Sequence, residues 1–162
     1  MTAVDPVLRA CQLAEEGRFR SAFRVLVRAA RRGDATAFIN LGHAYDTGCG
    51  VRRSKEKALY WYGRAVSEGE GAGAHNIATI FRDRGDIART IHWLRRAIAL
   101  GDSGSHLLLG QLLLARNDDP ASALASFNAI GPEACAADEE AAVVWRATAQ
   151  SILCAREESG RA

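Results

Sequence analysis

The chain has 162 residues, 48% hydrophobic and 25% charged, with a net charge of +2. That composition is ordinary for a soluble globular protein, and a chain of this size buries roughly 70% of its unfolded surface. No apolar run reaches the roughly 18 residues of a membrane span, and Asp5, Pro6 and Arg9 interrupt what would be the apolar core of a secretory leader, so a cytoplasmic protein is expected.

Residues 6–34 predict a first helix pair. Ala10, Leu13, Phe19, Ala22, Leu26 and Ala29 follow helical spacing, broken only at Gly17. Glycine accepts the left-handed conformation that ends a helix, so Gly17 predicts the turn and Gly33 the end of the pair.

Residues 35–69 predict a second pair. Ala37, Leu41 and Tyr45 are four apart and share a helical face. Gly42 beside Leu41 permits close packing. The Thr47-Gly48-Cys49-Gly50-Val51 stretch predicts a loop, with Val51 turned inward and Ser54 capping the next helix. Ala58, Trp61, Tyr62 and Ala65 form that helix's apolar face, which closes at Gly69.

Residues 71–101 repeat the pattern. Ile77, Ala78 and Phe81 restate Leu41, Gly42 and Tyr45, and Trp93, Leu94, Ala97 and Gly101 restate Trp61, Tyr62, Ala65 and Gly69. The loop is shorter, with Gly85-Asp86 in place of the GCGV stretch, and Gly69, Gly71 and Gly73 are expected between helices. Length differences confined to a loop are what repeat arrays tolerate.

Residues 103–131 give a weaker fourth pair through Leu109, Gly110 and Leu113, then Ala123 and Phe127. Asn117 to Asp119 form its turn and Pro120 suits a first helical position. After Gly131-Pro132 a single helix is expected over about 138–157. Acidic residues sit at its start and Arg156 near its end, as the helix dipole favours, with a frayed tail beyond. No strand pattern appears, so the expectation is one all-α repeat domain over residues 1–162, ending in a capping helix.

The second pair resembles a Sel1-like repeat. Ala37, Leu41, Gly42, Tyr45, Gly48, Gly50, Val51, Lys57, Ala58, Trp61, Tyr62, Ala65 and Gly69 all match that pattern in type and spacing. The first and third pairs look more like the related tetratricopeptide repeat. The resemblance covers residues 6–131. It implies an α-α solenoid of stacked antiparallel helix pairs, a right-handed superhelix whose concave face is lined by the first helix of each pair. It also implies a non-catalytic adaptor or scaffold that binds a partner peptide or helix.

By the same resemblance, Asn40 and Asn76, at equivalent repeat positions, would reach a bound peptide backbone. An amide both donates and accepts, as extended backbone requires. The competing reading has both side chains bonded within the fold. His43, Thr47, Thr79, Asp83 and Gln111 extend the same predicted face. A second contact region is the basic cluster Arg52, Arg53, Lys55 and Lys57 around the long loop.

Charge is uneven. Residues 1–100 carry 17 Lys/Arg against 10 Asp/Glu, and residues 101–162 carry 4 against 9. A basic N-terminal half would steer an acidic partner. Nucleic acid is a minor alternative, because Trp61, Tyr62 and Trp93 are expected in the core and leave few aromatics for stacking. A structural or self-assembling role through the last helix is the main alternative, with Trp145 packed on the fourth pair or offered for dimerisation. A monomer or weak homo-oligomer is expected.

Chemistry-bearing patterns are missing. There is no HExxH, Walker loop or GxSxG. Cys11, Cys49, Cys135 and Cys154 are widely separated without a CxxC, so free thiols are expected, with no metal site, cofactor or catalytic residue.

Overall fold

A computed structural model describes residues 5–116, 119–130 and 136–159. The described residues are helices and turns without strands. The turn expected at Asn117 and Asp118, the break at Gly131-Pro132, Cys135 and the tail from residue 160 lie outside them. The chain divides into two compact units, Met1–Ile80 and Phe81–Ala162.

In the first unit, helix α1 (Pro6–Glu15) starts at Asp5, whose carboxylate accepts from the Val7 N–H at 2.8 Å, with Pro6 in the first turn. It ends at Gly17, where φ is +73°. Helix α2 (Phe19–Ala30) follows, then α3 (Ala35–Thr47), capped by Asp34 accepting from the Ala37 N–H at 3.0 Å. Gly48 closes α3 in the left-handed conformation. Ser54 opens α4 (Lys55–Ser67) by accepting from the Lys57 N–H at 3.3 Å. Each cap satisfies a backbone group that the helix leaves unpaired.

Consecutive helices pack α1 on α2, α2 on α3 and α3 on α4. Ala10, Leu13, Ala22, Leu26, Phe38 and Leu41 form the buried heart of this unit. Alanines on the facing stripes let the backbones approach, and Phe38 fills the space, stacked on Trp61 at 5.7 Å. Gly42 is a contact point between α3 and α4. A Cβ there would sit 2.4 Å from the Tyr62 ring, which is 1% exposed.

Helix α5 (Gly71–Asp83) begins in this unit. Gly71 and Gly73, expected between helices, belong to its first turn. A Cβ on Gly73 would lie 2.8 Å from the Tyr62 carbonyl oxygen, so Gly73 serves close helix approach.

In the second unit, Asp86 caps α6 (Ile87–Ala99) by accepting from the Arg89 N–H at 3.0 Å and from its Nε at 2.6 Å. Those bonds, the backbone one foremost, hold the Asp86 carboxyl below the usual carboxylate range. Helices α7 (Ser105–Ala115) and α8 (Pro120–Asn128) pack as a pair, with Gly110 receiving the Phe127 ring as Gly42 receives Tyr62. Pro120 occupies the first turn of α8 behind its Asp119 cap.

Helix α9 (Ala136–Ser159) runs beyond the 138–157 span and includes residues expected to fray. The Ser159 hydroxyl donates to the Ala155 carbonyl at 2.8 Å within its last turn. Trp145 stacks on Phe127 at 6.3 Å, so it packs on the fourth pair. The Arg146 guanidinium donates to the carbonyls of Phe127 at 2.7 Å and Ile130 at 3.2 Å, satisfying acceptors at the end of α8. Val143 and Val144 stay exposed on α9. No helix among the described residues is long and apolar enough to cross a membrane.

Candidate functional site

The first unit carries an open slot of about 230 Å³ where α1, α2 and α3 meet. Its walls are small and apolar: Ala10 and Ala14 from α1, Ala22 and Leu26 from α2, Ala44 from α3. The alanine spacing that lets these helices approach also leaves the hollow, because no long side chain fills it. Phe19 and Phe23 close one side, and Asn40 and His43 supply its polar edge.

Asn40 is half-buried. Its amide nitrogen donates to the Thr36 carbonyl at 2.9 Å, one helical turn back. That bond fixes the side chain, and its Oδ1 accepts nothing from the described residues. The Asn40 side chain is therefore anchored in its own helix and keeps an acceptor for another molecule. His43 is exposed, three residues along the same face.

Beside the slot lies a wider basin of about 790 Å³, lined by the α1–α2 turn and the loop after α3. Phe19 borders both spaces, 45% exposed. Arg18, Arg20 and Arg52 line the basin and no carboxylate does. The loop is held there by Gly50, whose φ is +74° and whose Cβ, if present, would sit 2.3 Å from the Phe19 carbonyl oxygen. Val51, expected to turn inward, is half-buried and lines the basin.

Of the predicted contact residues, Asn40 and His43 come together at the slot. Thr47 lies on α3 beyond it, its hydroxyl donating to the His43 carbonyl at 2.8 Å. Asn76 and Thr79 lie on α5, away from the slot lining, and the Thr79 hydroxyl donates to the His75 carbonyl at 3.2 Å. Asp83 and Gln111 belong to the second unit, where Asp83 pairs with Arg82 at 3.3 Å.

The basic cluster divides. Arg52 enters the basin and Arg53 is exposed. Lys55 is ion-paired with Asp46 across the loop, and Lys57 lies over the Tyr45 ring at 5.3 Å from its centroid. Both lysines therefore fasten the loop between α3 and α4. Burial, with the Asp46 charge assisting, pushes the Tyr62 hydroxyl above its ordinary range, so that phenol stays neutral inside the repeat.

Sequence reading missed Phe19, Arg18 and Arg20 as surface residues of one site. Phe19 falls on the apolar stripe of α2 and reads as core, but it stands at the helix end, where α1 no longer covers it. Cys11 and Cys49 also border the slot, and with Cys154 they are free thiols. Together with His43 they form no metal-holding group among the described residues.

The chain matches the sequence model of the family described as Sel1 repeat at residues 37–70 and 80–102. No curated protein matches the sequence. Among solved structures, a Sel1 repeat protein from Oxalobacter formigenes is similar at TM-score 0.63 and 22% identity, over 76% of this chain and 55% of that one. The protective antigen c5321 of uropathogenic Escherichia coli, which displays an SLR fold, is similar at TM-score 0.69 and 18% identity, over 89% of this chain and 37% of that one. MamA is similar at TM-score 0.57 and 16% identity, over 94% of this chain and 97% of that one. The chain thus spans about half and about a third of the first two proteins' lengths. At such identities the likeness concerns the fold alone, and that fold is the all-α solenoid class. Residues 37–70 and 80–102 thus match the Sel1 repeat, and the glycine–aromatic contacts between paired helices lie in a fold that the chain shares with these neighbours.

Proposed function

We propose that this protein is a non-catalytic scaffold that holds a peptide or helix of another protein against the first helices of its pairs. Sel1-type repeats are commonly protein-interaction scaffolds. The observation that carries the reading is the slot between α1, α2 and α3, open to the surface, apolar inside and edged by Asn40 and His43. An apolar hollow with a few fixed polar groups is what an inserted side chain needs, with orientation coming from the polar edge. Asn40 Oδ1 is placed to accept a backbone N–H of the bound segment, and Asn76 performs the equivalent task on α5. Thr47 and Thr79 extend the proposed contact surface of the first unit, and Asp83 and Gln111 are the proposed contacts of the second. A cytoplasmic location fits the free thiols Cys11, Cys49 and Cys154.

The test is capture of partners from a lysate of the source cells by wild type and by the Asn40→Ala/Asn76→Ala variant, matched in circular dichroism and melting. The expected result is a protein retained by the wild type and lost, or weakened at least about tenfold, by the variant; one hydrogen bond from each amide, at roughly 1 kcal/mol apiece, accounts for that factor. Equal retention by both proteins would contradict the role of the asparagine face.

A further inference from the structure

We infer that the segment this scaffold takes is acidic and carries one large apolar side chain, with the apolar group in the slot and the carboxylates in the neighbouring basin. The inference rests on the scaffold reading above and gives its partner a chemistry.

Volume decides what the slot takes. At about 230 Å³ it is below the roughly 300–1,000 Å³ of sites for whole small ligands. It exceeds the roughly 150 Å³ of an apolar cavity that holds benzene. One leucine- or phenylalanine-sized side chain fits, and the alanine-rich lining offers it no hydrogen bond to lose.

Charge decides what lies beside it. The basin is lined by Arg18, Arg20 and Arg52, all exposed, and by no acidic residue. Arg18 has an exposed partner in Glu16 at 3.2 Å. Arg20 and Arg52 have no carboxylate partner among the described residues. A guanidinium matches a carboxylate with two parallel donors, so unpaired arginines along one rim favour aspartate or glutamate side chains over neutral ones. Like charges repel a basic segment from the same rim.

Adjacency joins the two. Phe19 borders both spaces, and Gly50 brings the loop bearing Arg52 against the Phe19 carbonyl. A peptide whose apolar side chain packs on Phe19 from the slot side places its next residues over the arginines. The bound segment therefore has its carboxylates within a few positions of its anchor.

The experiment uses the full chain and three fluorescein-labelled peptides in a glycine–serine background, read by fluorescence anisotropy. One carries a leucine followed by three aspartates, one replaces the aspartates with lysines, and one replaces the leucine with glycine. The expected result is saturable binding of the first peptide below about 1 mM, and at least about tenfold weaker binding of the other two. Arg20→Glu/Arg52→Glu and, separately, Cys11→Trp, which fills the slot from an exposed position, are each expected to weaken the first peptide about tenfold or more. Added salt is expected to weaken it further.

No saturable binding of the first peptide would overturn the inference, as would equal binding of all three or variants that bind like wild type once their fold is verified by circular dichroism. If lysate capture depends on the asparagines while the peptides fail, the partner chemistry falls and the scaffold reading stands. If capture and peptides both fail, both readings fall.

Discussion

Gly42→Ala is expected to destabilise the Met1–Ile80 unit by about 3 kcal/mol, the upper end of what overpacking a core costs. The added Cβ would meet three ring atoms of Tyr62 at 2.4, 2.4 and 2.9 Å. These lie near the base of a ring that is 1% exposed, so the side chain has no solvent to swing into. Either α3 and α4 separate or the ring leaves its rotamer, and both disturb the core around Phe38 and Leu41. A loss of that size is a large share of the roughly 5–15 kcal/mol that holds a domain folded.

Trp61 is the single tryptophan of residues 1–80, so a Trp93→Phe/Trp145→Phe background reports this unit by fluorescence in a urea titration. Tyr62→Leu costs stability alone through lost volume. Combined with Gly42→Ala it is expected to cost less than the two changes summed, because the smaller side chain makes room for the Cβ. Additive losses would show that the ring is not what Gly42 accommodates.

Gly50→Ala is the second large effect, and comparison with Gly48→Ala separates its two causes. Both glycines have positive φ, +74° and +86°, so each alanine incurs roughly 1–2 kcal/mol of left-handed strain. At Gly48 the nearest atom to a Cβ is 3.5 Å away, an ordinary contact. At Gly50 the Phe19 carbonyl oxygen is 2.3 Å away and its carbon 2.6 Å, and a backbone carbonyl cannot rotate aside as a side chain does. Gly48→Ala is therefore expected to lose about 1–2 kcal/mol and Gly50→Ala about 3 kcal/mol or more, read in the same titration. Equal losses would mean that the loop's approach to the α1–α2 turn contributes nothing beyond its backbone angles.

These two glycines also show what sequence reading reached and where it stopped. Gly42 is legible as a close-packing point because it sits beside Leu41 on a helical face, and the Ala37–Tyr45 spacing fixes that face. Helix ends are legible because Ser54, Gly17 and Gly48 act within one turn of their own helices. The contact between Gly50 and Phe19 joins positions far apart along the chain, and no periodicity encodes it. The same holds for Lys55 and Asp46, which face each other across a loop and outside helical spacing. A lysine whose partner is unknown reads as free, so the loop cluster looked more available than it is.

The site was half legible for the same reason. Asn40 is legible through the repeat resemblance, and His43 follows from it by lying further along the same helical face. Phe19, Arg18 and Arg20 belong to the site through the way the α1–α2 turn sits beside a loop from the next pair. Exposure at a helix end depends on how far the neighbouring helix reaches, which a one-dimensional pattern does not carry.

The central claim is that a partner segment is held where α1, α2 and α3 meet. Hydrogen–deuterium exchange of the chain, alone and with the protein it retains from lysate, tests that claim most directly. The account predicts slowed exchange in residues 10–26 and 36–52 on binding. Slowed exchange confined to α9, or unchanged exchange in both of those segments, would contradict it.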